Sequence, residues 1–109
     1  MMGLLLYGVT RGGTQAPPDL NGVLGAPVRH YGSERVVLLA SEYDGEEITP
    51  RRRNLAEFQG VINGVAAAGD ILPCGFGMLA RSEDEVVDLV RRNREVLEAE
   101  LERIAGRRE

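Results

Sequence analysis

The sequence has no lysine, no tryptophan, one cysteine (Cys74) and one histidine (His30). A single cysteine excludes an intrachain disulfide and a metal cluster held by several cysteines of this chain. It is typical of a reducing compartment, so we expect a cytoplasmic protein. A lone histidine is a poor metal site, because stable sites need several convergent ligands. We therefore expect neither a metal nor a cofactor.

Long apolar runs and an excess of positive charge are also missing. No segment approaches the ~20 apolar residues of a membrane helix, and the apolar N-terminal run is too short for a signal peptide. The net charge of -4 argues against a general nucleic-acid binder, which is normally basic. With 109 residues, 43% hydrophobic and 28% charged, the composition is typical of a single globular domain, residues 1–109.

Apolar runs predict the strands. The run from Gly3 to Thr10 predicts a central strand buried on both faces, with its internal glycine at a bulge or a close backbone approach. Two further runs, Val28 to Tyr31 and Arg35 to Tyr43, predict a hairpin. A last run, Ile71 to Leu79, predicts a strand that is interrupted at Pro73 or lies at an edge, because proline cannot donate to a sheet ladder.

Helical spacing of apolar residues predicts two helices. The first runs from Pro50 to Ala68, with Thr49 as its cap. The second begins at the capping box of Ser82 and reaches Ala105. This order of elements predicts an α+β fold, a two-layer sandwich in which both helices cover one face of an antiparallel-rich sheet.

The segment from Asn54 to Gly77 joins the first helix to the motif Gly-x-Ile-Leu-Pro-x-x-Phe-Gly. This combination resembles the N-terminal domain of the GvpL/GvpF family of gas vesicle proteins. The matching positions are Asn54, Leu55, Val61, Gly69, Leu72, Pro73, Phe76 and Gly77, together with Leu6 to Val9, Gly25 to Val28, and Ser41 and Glu42. The resemblance spans almost the whole chain and implies a ferredoxin-like topology.

Two residues depart from the family pattern, which usually has histidine in place of Phe58 and arginine in place of Gly75. Family members also usually run on into a further strand and a second domain. The resemblance implies a role in gas vesicle assembly, with contacts to the shell protein and to other accessory proteins.

Cys74 is the obvious candidate nucleophile, and a catalytic cysteine needs a base within hydrogen-bond reach. The only histidine, His30, lies on a different predicted strand. A free cysteine in an apolar run is more often simply buried. We therefore expect no catalytic residue, and keep as an alternative an enzyme that uses Cys74 or the acidic turn described next.

Two other patterns favour ordinary surface structure over a ligand site. The loop residues Gly12, Gly13 and Thr14 match neither the Walker spacing nor the dinucleotide-binding spacing. The acidic turn could attract a cation, but its spacing is not that of an EF-hand loop. The acidic residues are Glu42, Asp44, Glu46 and Glu47.

Arg51, Arg52 and Arg53 form the sharpest charge cluster, in a first helical turn where positive charge opposes the helix dipole. They form either a solvated face or a contact for an acidic protein surface. Gly60 and Gly64 share one helix face, which favours close packing within the domain or, alternatively, a partner helix. We expect these five residues to bind partners, with the outer face of the second helix and an open sheet edge as further candidates.

Two hypotheses about function follow. The first is a non-enzymatic accessory or minor structural protein of gas vesicle assembly, associated with gas vesicles in the cytoplasm and acting through protein contacts, including a possible homo-oligomer. The alternative is a free-standing α+β ligand-binding or regulatory module without a vesicle role, which a small-molecule pocket would favour.

Overall fold

The computed structural model describes residues 2–14, 20–32, 35–45 and 47–105. Five strands and two helices form its framework, with a short 3-10 turn at Val23–Gly25. In chain order the elements are β1 Met2–Arg11, β2 Arg29–Gly32, β3 Val36–Asp44, α1 Arg52–Ala66, β4 Ile71–Pro73, β5 Leu79–Ala80 and α2 Glu83–Ile104. None of the helices in the described part of the chain is long and apolar enough to cross a membrane.

The sheet is antiparallel throughout and has β1 near its centre. Its order is β2-β3-β1-β4, and β5 pairs with the same edge of β1 as β4 does. Every residue of β1 from Leu4 to Thr10 is buried. The α+β class, the antiparallel sheet and the central position of β1 are therefore confirmed.

The glycine inside β1 lies at a bulge, as its sequence context predicts. The pairing of β1 with β3 shifts by one residue between Leu6 and Gly8. On the other side, a Cβ at Gly8 would come within 2.8 Å of the carbonyl oxygen of Leu72. A larger residue at this position would push β4 away, so both of the predicted reasons for glycine apply.

Strands β4 and β5 form one edge strand interrupted by a three-residue bulge. The amide of Cys74 donates to the Tyr7 carbonyl, and the amide of Leu6 donates to the Met78 carbonyl, both at 2.9 Å. Because Leu6 and Tyr7 are adjacent, residues 75–77 have no counterpart on β1. Pro73 pairs with Gly8 as the last residue of β4, at the sheet edge, where a missing donor is tolerated.

The two helices lie on opposite faces of the sheet, so the prediction of both helices on one face is wrong. The core under α1 contains Leu5, Tyr7, Val23, Leu39, Ile48, Phe58, Val61, Ile62 and Val65. The core under α2 contains Leu4, Leu6, Val9, Val36, Leu38, Ala40, Ala80, Val86, Val90 and Leu101. Successive residues of a strand point to opposite faces. The described residues therefore form three layers, whereas a ferredoxin-like sandwich has two.

The predicted start of α1 is also wrong, whereas that of α2 is confirmed. Arg51 is the N-cap of α1 and makes no capping hydrogen bond through its side chain. Instead, the carbonyl of Thr49 accepts a hydrogen bond from the side-chain amide (Nδ2) of Asn54 at 2.9 Å. For α2, the Ser82 hydroxyl accepts from the Glu85 amide at 3.2 Å. α1 begins at Arg52, two residues after the predicted start at Pro50, which is within the usual uncertainty of helix ends.

Candidate interaction surfaces

Three positions that match the family pattern, Tyr7, Ser41 and Phe76, meet Phe58 on the α1 side of the sheet. The ring of Tyr7 stacks on that of Phe58, with 5.3 Å between centroids, and Phe58 meets the edge of Phe76 at 5.4 Å. The Tyr7 hydroxyl lies 2.6 Å from Ser41 Oγ and accepts a hydrogen bond from the Val23 amide at 3.0 Å. Burial raises the pKa of Tyr7. These contacts hold the fold together, and their buried members Tyr7, Val23, Ser41 and Phe58 are shielded from any partner.

Gly22 is required beside this cluster for a steric reason. A Cβ at this position would overlap the Tyr7 hydroxyl and come within 3.3 Å of Ser41 Oγ. The backbone φ of Gly22 is -101°, which any residue can adopt. The glycine therefore serves close approach rather than an unusual backbone conformation.

The structure separates the two residues that a cysteine mechanism would need. His30 is exposed on β2, at one edge of the sheet, and Cys74 follows β4 at the other edge. Three strand spacings of about 4.8 Å place them roughly 14 Å apart. Burial also raises the pKa of the Cys74 thiol, which keeps it protonated and unreactive. The alternative of a His30–Cys74 pair is therefore wrong.

The loop that invited a phosphate-site interpretation is tied to the end of α1. The Thr10 hydroxyl donates to the Asp70 carbonyl at 2.7 Å and therefore accepts from the Thr14 hydroxyl, with 3.1 Å between the two oxygens. The methyl group of Thr14 would lie 3.0 Å from a Cβ at Gly69. Thr14 thus has a packing role, which supports the interpretation as ordinary loop structure.

The acidic turn provides no grouped ligands in the described part of the chain. Glu42, Asp44 and Glu47 are exposed, while Glu46 lies outside the described residues. Within the described ranges, no three side chains of the metal-binding types come together.

Arg51, Arg52 and Arg53 are all exposed at the start of α1. Arg53 Nε lies 3.8 Å from Glu57 Oε1. Over residues 2–14, 20–32, 35–45 and 47–105, no carboxylate lies within ion-pair distance of Arg51 or Arg52. Their guanidinium groups oppose the positive end of the helix dipole, so the fold gains little from them.

Gly60 and Gly64 differ in their surroundings. A Cβ at Gly64 would lie 3.2 Å from a methyl group of Leu20, whereas a Cβ at Gly60 would meet nothing within 4 Å. Leu20 therefore covers one end of the small-residue stripe, and Gly60 remains open. By helical spacing, both glycines share a face of α1 with Arg53 and Glu57.

Leu24 adds an apolar residue to this face that sequence reasoning missed. Its side chain is 68% exposed, and its backbone is left-handed, with φ 59°. The Leu24 amide donates to Glu57 Oε1 at 3.3 Å, beside Arg53. A leucine between Val23 and Gly25 carries no sequence signal for such a position. We call the exposed residues Leu24, Arg51, Arg52, Arg53 and Gly60 the α1 surface.

A second feature without a sequence signal is a cleft of about 400 Å³ at the opposite side of the molecule. Its lining comes from the end of β1, the start of β3 and the last turns of α2. The lining residues are Arg11, Gly12, Arg35, Glu98, Leu101 and Glu102. Residues this far apart in sequence gave no motif, and only the fold brings them together.

The two remaining candidate surfaces differ in what they present. On the outer side of α2, Val96 is 63% exposed and Val87 36% exposed, in agreement with the expectation that α2 projects apolar residues. The sheet edge formed by β4 and β5 is short, contains Pro73 and is broken by the bulge. Such an edge is a poor template for strand addition.

Comparisons with known proteins agree on one family. The family model of the gas vesicle synthesis protein GvpL/GvpF matches residues 3–109. Gas vesicle protein F of Streptomyces sp. (strain CB03234) is 30% identical over 89 residues, which cover 79% of this chain and 37% of that protein.

Solved structures of similar proteins extend the agreement to the fold. The crystal structure of GvpF from Anabaena sp. PCC7120 matches with a TM-score of 0.83 and 26% identity, over 97% of this chain and 46% of that one. GvpF from Microcystis aeruginosa matches with a TM-score of 0.77 and 26% identity, over 95% of this chain and 44% of that one. The chain thus spans less than half the length of these relatives. It belongs to the GvpL/GvpF family of gas vesicle synthesis proteins.

Proposed function

We propose that this protein is a non-enzymatic accessory or minor structural component that acts in gas vesicle assembly by contacting other proteins. Its partners are the gas vesicle shell protein and other accessory proteins, and its place is at gas vesicles in the cytoplasm. Membership of the GvpL/GvpF family supports the vesicle role and favours it over a free-standing ligand-binding module. The separation of His30 from Cys74 fits a function without cysteine catalysis.

The observation that carries the contact mechanism is the placement of the three arginines on the α1 surface. They are exposed at a helix N-terminus, where positive charge is unfavourable. Beside Arg53, and linked to it through Glu57, Leu24 presents an exposed apolar side chain. A basic cluster with an apolar neighbour suits an acidic protein surface, because charged groups guide the encounter and an apolar anchor contributes affinity. The open position at Gly60 lets a partner approach the α1 backbone closely.

A charge reversal at this cluster tests the proposal. The variant Arg51→Glu/Arg52→Glu/Arg53→Glu should fold normally, since glutamate suits the start of a helix better than arginine. It should fail to capture the purified shell protein or the purified accessory proteins in a pulldown. Retention of full capture would show that the α1 surface is not the contact.

A matched control keeps the same change in charge elsewhere. Arg81, Arg91 and Arg94 are exposed near and on α2, and their triple reversal to glutamate alters the net charge by the same amount. This control should capture the partners as the unaltered protein does. Equal loss in both variants would point to net charge or to the outer face of α2, and would contradict a specific role for the α1 surface.

A further inference from the structure

The cleft between β1, β3 and α2 has an apolar floor and charged walls. Leu101, on the inner side of α2, is only 1% exposed and forms the floor. Glu98 and Glu102 are four residues apart on α2, so their carboxylates lie on the same side of the helix. Arg11 and Arg35 contribute the opposite wall.

One carboxylate oxygen in this cleft lacks a donor. Glu98 Oε1 is shielded from solvent, and no hydrogen-bond donor among the described residues reaches it. The other oxygen, Oε2, lies 3.9 Å from Arg35 Nη1, beyond hydrogen-bond distance. A shielded carboxylate oxygen without a donor is costly, especially when the group is charged. Among the described residues, the cleft therefore presents an acceptor that no donor of its own walls reaches.

The position on α2 determines the sign of the missing group. Glu98 and Glu102 lie in the last two turns of α2, which ends at Ile104. The C-terminus of a helix carries partial negative charge, so a cation is favoured there and carboxylates are not. Within the described ranges, Arg103 is the only basic residue in the last turn, and its guanidinium is bound to Glu100. Both the carboxylates and the helix dipole thus attract a cation.

We propose that this cleft binds an arginine side chain of a partner protein. A guanidinium has five donors in a planar fork and can serve Glu98 and Glu102 together. The exposed arginines at the rim, Arg11 and Arg35, then face acidic residues beside the partner's arginine. That the donor comes from a protein rests on the proposed function, whereas the chemistry of the cleft does not.

The test uses a probe with a single charged group. N-acetyl-L-arginine amide is titrated into the full ¹⁵N-labelled chain, and amide chemical shifts are followed by NMR. We expect saturable shifts centred on Gly12, Glu98, Leu101 and Glu102, with weak, roughly millimolar affinity for so small a ligand. Glu98→Gln should weaken binding at least about tenfold, because it removes a charge-assisted hydrogen bond.

Three comparisons make the result decisive. Glu95→Gln, at an exposed position on the same helix, should bind the probe as the unaltered chain does. Unchanged spectra away from the cleft will show that each variant folds. N-acetyl-L-aspartate amide should produce no saturable shifts, and equal or tighter binding of it would overturn the proposal in favour of an anion site at Arg11 and Arg35. Absence of saturable shifts with the arginine probe would also overturn it, without affecting the pulldown test of the α1 surface.

Discussion

Removal of the Tyr7 hydroxyl should destabilise the protein far more than the loss of one oxygen atom suggests. Tyr7→Phe leaves the Val23 amide without its acceptor and Ser41 Oγ without its partner, and both residues are only 1% exposed. A buried donor left unsatisfied costs about 1–3 kcal/mol. The Ser41 hydroxyl can rotate towards another acceptor, so the loss of its partner should cost less than the unsatisfied Val23 amide does. The expected loss is about 2–4 kcal/mol of the free energy of unfolding.

Urea denaturation and thermal melts measure this loss directly. In a domain of this size, about 2–4 kcal/mol corresponds to a fall of roughly 10 °C in Tm. Tyr43→Phe is the matched control, because that hydroxyl donates to the Glu47 carbonyl at 3.2 Å from an exposed position. Surface changes of this kind usually alter stability by less than about 0.5 kcal/mol.

A double-mutant cycle tests the cause of the loss. In the unaltered chain, Ser41→Ala removes a hydroxyl that is bonded to the Tyr7 hydroxyl. In the Tyr7→Phe background that partner is already absent. The loss of free energy of unfolding caused by Ser41→Ala should therefore be smaller by roughly 1 kcal/mol in the Tyr7→Phe background. If Tyr7→Phe costs no more than Tyr43→Phe, or if the costs of Tyr7→Phe and Ser41→Ala simply add, the cluster does not stabilise the fold in the way described.

Three further predictions use the same denaturation assays. Gly22→Ala should destabilise the protein by at least about 2 kcal/mol, because its methyl group meets the Tyr7 hydroxyl. Gly60→Ala, whose methyl group enters open space, should instead stabilise the protein by roughly 0.5–1 kcal/mol. A change in stability of the same sign in both variants would contradict the packing described. Ser82→Ala should cost about 1 kcal/mol through loss of the α2 cap, and a change within error would show that the cap is dispensable. Burial raises the pKa of Cys74 and Tyr7, so the unfolded chain releases these protons at a lower pH than the folded chain does. The free energy of unfolding should therefore be at its full value below about pH 8.5 and fall as the pH rises through about 8.5 to 10 and above. A rise in stability over this range, or an unaltered fall in the variant Cys74→Ala/Tyr7→Phe, would refute that account.

The sequence predicted the elements better than their arrangement. The apolar run in β1 and the cap at Ser82 correctly indicated a central strand and α2. The predicted arrangement was wrong because it placed both helices on one face of the sheet. Continuous apolar runs such as Leu4 to Tyr7 already require cover on both faces. Placing α1 and α2 on opposite faces satisfies that requirement.

The candidate surfaces were predicted only where a single segment carries them. Arg51, Arg52 and Arg53 are adjacent in sequence, so the run of positive charge was visible without the fold. The cleft joins residues 11, 35 and 98, and no local spacing connects such positions. Leu24 was missed for another reason. Its exposure depends on a left-handed backbone that a leucine gives no reason to expect.

The two departures from the family pattern affect different parts of the molecule. Phe58, where the family usually has histidine, is 6% exposed and lies between Tyr7 and Phe76, so this exchange alters packing under α1. Gly75, where arginine is usual, is exposed in the bulge, and a Cβ there would meet nothing within 4 Å. The first side-chain atom of an arginine would thus meet no neighbour there, and the exchange for glycine removes a positive charge from the surface. Charge at a surface governs the choice of partner more than it does the fold. Under the proposed function, Gly75 is therefore the departure that bears on partner choice.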